Sequence, residues 1–249
     1  RTFSSAASDV YKRQDLNITF PNLLSNSESF KALYASISSL ELESHIRLLL
    51  KKVFFSRNLQ IKILITDDKS NQGNLTRINE ILKITNLETK IINLNENEFV
   101  NEISSTDVNG EEISKNMISN MRNILKSIQI AETDNSDLFY FLEDDYIHTK
   151  DAITEMLFTY EKISSQLNKE IFLCPADYPY LYSTIENTKL FFGNMRHWRT
   201  VNETLITFLT SKNMIIKYLD KFKLMGSKRH HPMELILHKI CLLYTSPSP

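Results

Sequence analysis

The chain has 249 residues, of which 42% are hydrophobic and 24% charged, with a net charge of −1. That balance lacks the basic surface that nucleic-acid binding requires, and no run of about 18 apolar residues is present to span a bilayer. Two cysteines, Cys174 and Cys241, exclude a disulfide framework or a zinc site, and four glycines exclude a Gly-rich phosphate loop.

The two ends stand apart from what lies between them. Residues 1–14 (RTFSSAASDVYKRQ) and 241–249 (CLLYTSPSP) carry no periodicity that continues into their neighbours. Both resemble translated sequencing-adapter sequence, so they are read as non-native tails around a single domain at 15–240.

Within that domain, Leu16 to Phe20 has the β-branched and aromatic character of a first strand. Ser29 to Leu40 and Glu43 to Phe55 carry apolar residues at helical spacing. Ile61 to Asp68 (IKILITDD) predicts a strand ending in paired acids. Thr76 to Ile84 predicts a helix, Thr89 to Leu94 a strand, and Ile113 to Ala131 a long amphipathic helix. Leu138 to Leu142 (LFYFL) is a short apolar run of the kind that forms a strand buried on both faces, and it leads straight into Glu143, Asp144 and Asp145. A helix from Asp151 to Leu167 and a strand from Glu170 to Cys174 follow. This alternation predicts an α/β fold: one domain with a mostly parallel central sheet flanked by helices. After Pro175 the rhythm changes. Lys189 to Phe192 and Leu205 to Leu209 read as a small antiparallel addition, and Met214 to Phe222 and Pro232 to Ile240 as closing helices.

Two strands of that sheet end in acids, Asp67-Asp68 and Glu143-Asp144-Asp145. Three carboxylates cannot all be buried and ionised without a partner. They are expected at the carboxyl ends of the strands, where open α/β sheets bind ligands. A divalent cation there relieves their repulsion, and hard cations prefer oxygen.

The Asp-Asp-Lys-Ser run at 67–70, the Arg122-Asn123 region and Phe-Leu-Glu-Asp-Asp-Tyr at 141–146 together resemble the nucleotide-sugar glycosyltransferases of the GT-A (Rossmann-like) fold, family 2-like in their Glu-Asp-Asp element. The resemblance implies a metal-dependent transfer of a hexosyl or N-acetylhexosaminyl group from a nucleoside-diphosphate sugar to an acceptor hydroxyl, with inversion. It implies that Asp145 ligates Mn2+ or Mg2+, that Asp144 and Glu143 contact sugar or ribose, and that Asp67 and Asp68 contact nucleobase or ribose. In such families the base that deprotonates the acceptor often opens a late helix, a position Glu234 occupies; Asp177 competes for the role.

The remaining candidates rest on residue chemistry. Trp198 can stack on a sugar ring and Arg199 can fork onto phosphate, although a half-buried Trp at a strand end serves equally. His230 and His231, beside Lys228 and Arg229, form a basic cluster that can close over a diphosphate, with His231 available as a further metal ligand. Arg77 and Arg122 lie on helices, where solvated positions are the default. The partners expected are the nucleotide-sugar donor and a saccharide or lipid-linked acceptor, in the cytoplasm, with peripheral association at the inner membrane face. Two rival readings stand beside this one. A sugar nucleotidyltransferase would carry a Gly-rich basic loop after its first strand, and residues 21–28 have neither glycine nor base. A non-catalytic glycan-binding domain on the same fold would bind sugar without metal.

Overall fold

The computed structural model describes residues 60–84, 87–143, 149, 151–175, 188–202, 206–238, 240 and 243–245. The expected elements at 16–20, 29–40 and 43–55 lie outside these, as do Asp144, Asp145 and Asp177. Among the described residues the chain is mixed α/β. It runs β1 (Lys62–Asp67), α1 (Gln72–Lys83), β2 (Glu88–Asn93), α2 (Lys115–Thr133), β3 (Leu138–Phe141), α3 (Ala152–Leu167), β4 (Phe172–Cys174), β5 (Leu190–Phe192), β6 (His197–Val201), β7 (Phe208–Ser211), α4 (Lys212–Lys217), α5 (Leu219–Ser227), a 3-10 turn (Met233–Ile236) and β8 (Leu243–Thr245). No described helix is long and apolar enough to cross a membrane.

The chain divides into two compact units. One comprises residues 1–61, 71–87 and 143–151, and its described part is chiefly α1. That helix opens where the Asn71 side chain accepts from the amide of Gly73 at 2.7 Å, and it buries Ile81 and Leu82. Side-chain acceptors at a first turn satisfy amides that have no helical partner.

The second unit holds both sheets. β1 and β2 pair in parallel, Lys62 opposite Glu88 through Asp67 opposite Asn93, as a parallel α/β pattern predicts. The other six strands lie in the order β3-β7-β4-β8-β6-β5. Here the sequence expectation is corrected. β3 and β4 run the same way, but β7 lies antiparallel between them, and only β4 with β8 is a parallel neighbour pair. Antiparallel pairing thus reaches the middle of the sheet through β7, while β5, expected as part of an antiparallel addition, lies at the edge. β8 falls in the segment read above as a tail, and it pairs with β4 and β6.

Alternation along these strands divides the core between two faces. On one, Phe141, Phe172 and Phe208 meet Phe222 of α5, with ring centroids 5.1–6.2 Å apart. On the other, Leu173, Leu209 and Trp198 pack with Met156, Tyr160 and Ile163 of α3. Helices therefore cover the sheet from both sides. β3 is half-buried at all four positions, whereas its apolar run predicts full burial.

α2 lies along β1, antiparallel to it. Asp134 takes a hydrogen bond from Lys62 at the strand's start, and Ser127 meets Thr66 near its end. Its other side packs on α5 so closely that a Cβ on Gly226 would stand 2.7 Å from Leu125 Cγ. The last turn of α2 is closed by Lys212, whose ammonium donates to the carbonyls of Ala131, Glu132 and Asp134 at 2.7–2.8 Å. A cation on the carbonyl end of a helix also opposes the helix dipole.

Candidate functional site

The end of β1 is shaped by its two acids in different ways. Asp67 is 8% exposed, and its carboxylate accepts from the backbone amide of Ser70 at 3.2 and 3.3 Å, closing a tight turn. Lys69 in that turn has φ 72°, a left-handed conformation that a non-glycine residue adopts at some strain. Asp68 turns inward. Its side chain is 2% exposed and meets one terminal nitrogen of Arg122 at 2.9 and 3.1 Å.

Arg122 is itself buried, which corrects the expectation of a solvated helix position. Its Nε donates to the Glu98 carbonyl at 3.1 Å and its other terminal nitrogen to the Asn95 carbonyl. One guanidinium thus ties the end of β1 and the loop after β2 to α2. Glu98 is held in turn by Lys126, an ion pair that lowers its carboxyl below the usual range, with burial opposing. Each buried charge of this pair offsets the cost of burying the other, and Asp68 is left engaged with protein.

A second polar centre joins the 104–113 loop to the segment after α5. The Ser104 amide donates to the Ser227 carbonyl at 2.8 Å, and the Val108 amide to the Arg229 carbonyl at 3.1 Å. Between them Asp107, 3% exposed, accepts from the amides of Asn109 and Glu111 at 2.8 and 2.9 Å. Its other oxygen lies 2.6 Å from His231 Nε2. The His231 hydrogen bond, aided by the two amides, holds the Asp107 carboxyl down to about 2, against the upward push of burial. His231 keeps 44% of its side chain exposed, so the ring is oriented from one nitrogen and open at the rest. An imidazole fixed by a carboxylate in this way has a defined tautomer, the usual state of a metal-binding or proton-transferring histidine.

Trp198 and Arg199 sit in β6. The indole is 1% exposed, belongs to the core cluster and donates to Glu155 Oε1 at 3.0 Å. A ring enclosed on both faces offers no stacking platform, so the sugar-stacking role expected for it is not one this geometry supports. Arg199 is 7% exposed, also buried. Glu234, in the 3-10 turn, is 4% exposed. Glu143 follows β3 and is half-buried, and the two aspartates after it lie outside the described residues, as does Asp177. Among the described residues no three His, Cys, Asp or Glu side chains converge as ligands for one metal ion.

Sequence reasoning missed Asp107 and Glu155, and named Arg122 only within the resemblance and as a solvated helix residue. Glu155 is a carboxylate 1% exposed in the middle of α3. It accepts from the amides of Asn194, Met195 and Arg196 at 2.7–3.3 Å, from the Trp198 indole and from Thr159 at 3.1 Å. The available signals were slight: an acid on the apolar stripe of a helix, and an Asn-Gly pair just after Asp107 marking a turn.

No protein-family model, curated protein or solved structure matches this chain.

Proposed function

We propose that this chain is a metal-dependent glycosyltransferase of the GT-A type, transferring a sugar from a nucleoside diphosphate to an acceptor hydroxyl with inversion. The observation that carries the reading is the passage from β3 through Leu142 into Glu143-Asp144-Asp145, three consecutive acids immediately after a sheet strand. Consecutive carboxylates supply the oxygen ligands that a hard divalent ion prefers. Asp145 is assigned as the ligand, with Asp144 and Glu143 toward sugar or ribose. A bound Mn2+ or Mg2+ supplies Lewis-acid stabilisation of the leaving diphosphate.

The rest of the chain's part in the reaction is to bind, orient and take a proton. Asp67 carries the nucleobase or ribose contact, because Asp68 is engaged by Arg122. Deprotonating the acceptor needs a carboxylate within hydrogen-bond reach of it. Burial of Glu234 favours Asp177 for that role. His231 is the candidate for closing on the diphosphate or for a further ligand position, since Asp107 orients its ring and leaves part of it open. The glycan-binding alternative is weakened by Trp198, the only tryptophan, whose ring is core.

Titration calorimetry on the full chain tests the assignment. Nucleoside diphosphate should bind with Mn2+ and not without it, and Asp145→Ala should lose that binding by tenfold or more, about 1.4 kcal/mol, with an unchanged unfolding midpoint. Equal binding by the variant removes the metal assignment.

A further inference from the structure

The β5–β6 hairpin presents two unlike faces. Leu190 stands opposite Arg199, Phe191 opposite Trp198, and Phe192 opposite His197. Residues directly opposite in an antiparallel pair share a face. The Phe191–Trp198 face is packed into the core. The other face carries Leu190 and Phe192, 70% and 71% exposed, and Met195 at the turn is 58% exposed. A row of large apolar side chains in water is unfavourable and marks a surface with a partner.

Within the hairpin's own sequence the charge is of one sign. From 188 to 202 the sequence contains Lys189, Arg196, His197 and Arg199 and no Asp or Glu. His197 shares the apolar face by register and its ring lies 4.8 Å from that of Phe192, while Arg199 beside it is buried. The turn is immobilised: Glu155 binds three consecutive amides at 194–196, and Lys162 donates to the Gly193 carbonyl at 3.1 Å. The apolar groups are therefore held out on a rigid support, and ordering them at a partner surface loses little entropy.

We propose that this face of the hairpin docks on an anionic lipid bilayer. Leu190, Phe192 and Met195 enter the boundary between headgroups and acyl chains, and Arg196 and His197, with Lys189 at the hairpin's edge, meet lipid phosphate. Apolar insertion combined with basic flanks is the pattern of reversible interfacial binding. A second copy of this hairpin would bring like charge against like, whereas anionic headgroups complement it. The inference stands on the hairpin alone and does not depend on the nucleotide reading.

The test is co-sedimentation of the full chain with vesicles of phosphatidylcholine alone or mixed with phosphatidylglycerol, at about 0.05 and about 0.5 M salt. The wild-type chain should pellet with the anionic vesicles, and less at the higher salt. Leu190→Ser with Phe192→Ser should weaken this by about tenfold or more. Lys189→Glu should weaken it on anionic vesicles, and Val100→Ser, at an exposed apolar residue elsewhere, should leave it unchanged. Absence of wild-type binding overturns the proposal, as does equal binding by both hairpin variants or indifference to lipid charge. A concentration-dependent dimer that the double variant dissolves, without vesicle binding, assigns the face to a second copy and overturns it too.

Discussion

Arg122 shows how one side chain can organise several backbone segments. Its three nitrogens reach Asp68, the Asn95 carbonyl and the Glu98 carbonyl, all from a buried position. Removing one partner of a buried pair strands the other charge, at about 3–5 kcal/mol. Arg122→Ala should therefore lose about that much in denaturant unfolding; a loss under about 1 kcal/mol contradicts the anchor. Arg122 was legible only as an arginine on an amphipathic helix, because its depth depends on a loop that folds over it from 24 to 27 residues upstream. Asp107 makes a pH-dependent prediction. Its carboxyl titrates near 3.8 when unfolded and at about 2 when folded. A depressed carboxyl contributes stability that is present above the unfolded value and lost as pH falls through the folded one. Stability should thus drop between about pH 4 and about pH 2, and Asp107→Asn should flatten that part of the profile. An unchanged profile in the variant means Asp107 is not the group responsible.

At the scale of elements, the link from α3 to the β5–β6 turn is the feature that alternation and periodicity do not show. Helical spacing places Glu155 on an apolar stripe, where an acid reads as an exception. In the fold it is the acceptor for three consecutive amides of the β5–β6 turn. Gly193 is required at that junction, since a Cβ there would lie 2.2 Å from Glu155 Oε1 and 2.6 Å from Trp198 Cδ1. Gly193→Ala should destabilise by about 2 kcal/mol or more, and Glu155→Gln by a similar amount, because its amide nitrogen faces donors. Neutral behaviour of both by thermal unfolding would contradict the clasp. Elements with long periodic patterns were read correctly: α2 and α3 lie within two residues of the expected bounds, as do β1 and β2. β6 was missed altogether, since His-Trp-Arg-Thr-Val has no apolar alternation, and in the fold Trp198, Arg199 and Val201 are all buried. β7 was placed three residues early at its start, where Thr210 and Ser211 dilute the apolar signal of a fully buried strand.

Over the whole molecule, the sequence discloses a mixed α/β chain but not the order of its strands. Which neighbour a strand takes is decided by long-range packing, and the antiparallel insertion of β7 between β3 and β4 carries no local signature. The polar centres follow the same rule. The acidic runs stand out as residues, while their roles depend on partners distant in sequence, as Asp68 and Asp107 illustrate. The glycosyltransferase reading therefore rests on the acids after β3 and on the chemistry that such a cluster serves.

The most direct measurement is the thermal unfolding midpoint of the full chain with UDP, GDP or CMP, each with and without Mn2+. A ligand at about 100 times its dissociation constant adds roughly 2.7 kcal/mol, which for a chain of this size raises the midpoint by about 5–10 °C. The account predicts such a rise for one of these nucleotides, only in the presence of Mn2+, and its loss in Asp145→Ala. A cooperatively unfolding sample that responds to none of them, with or without the metal, contradicts it.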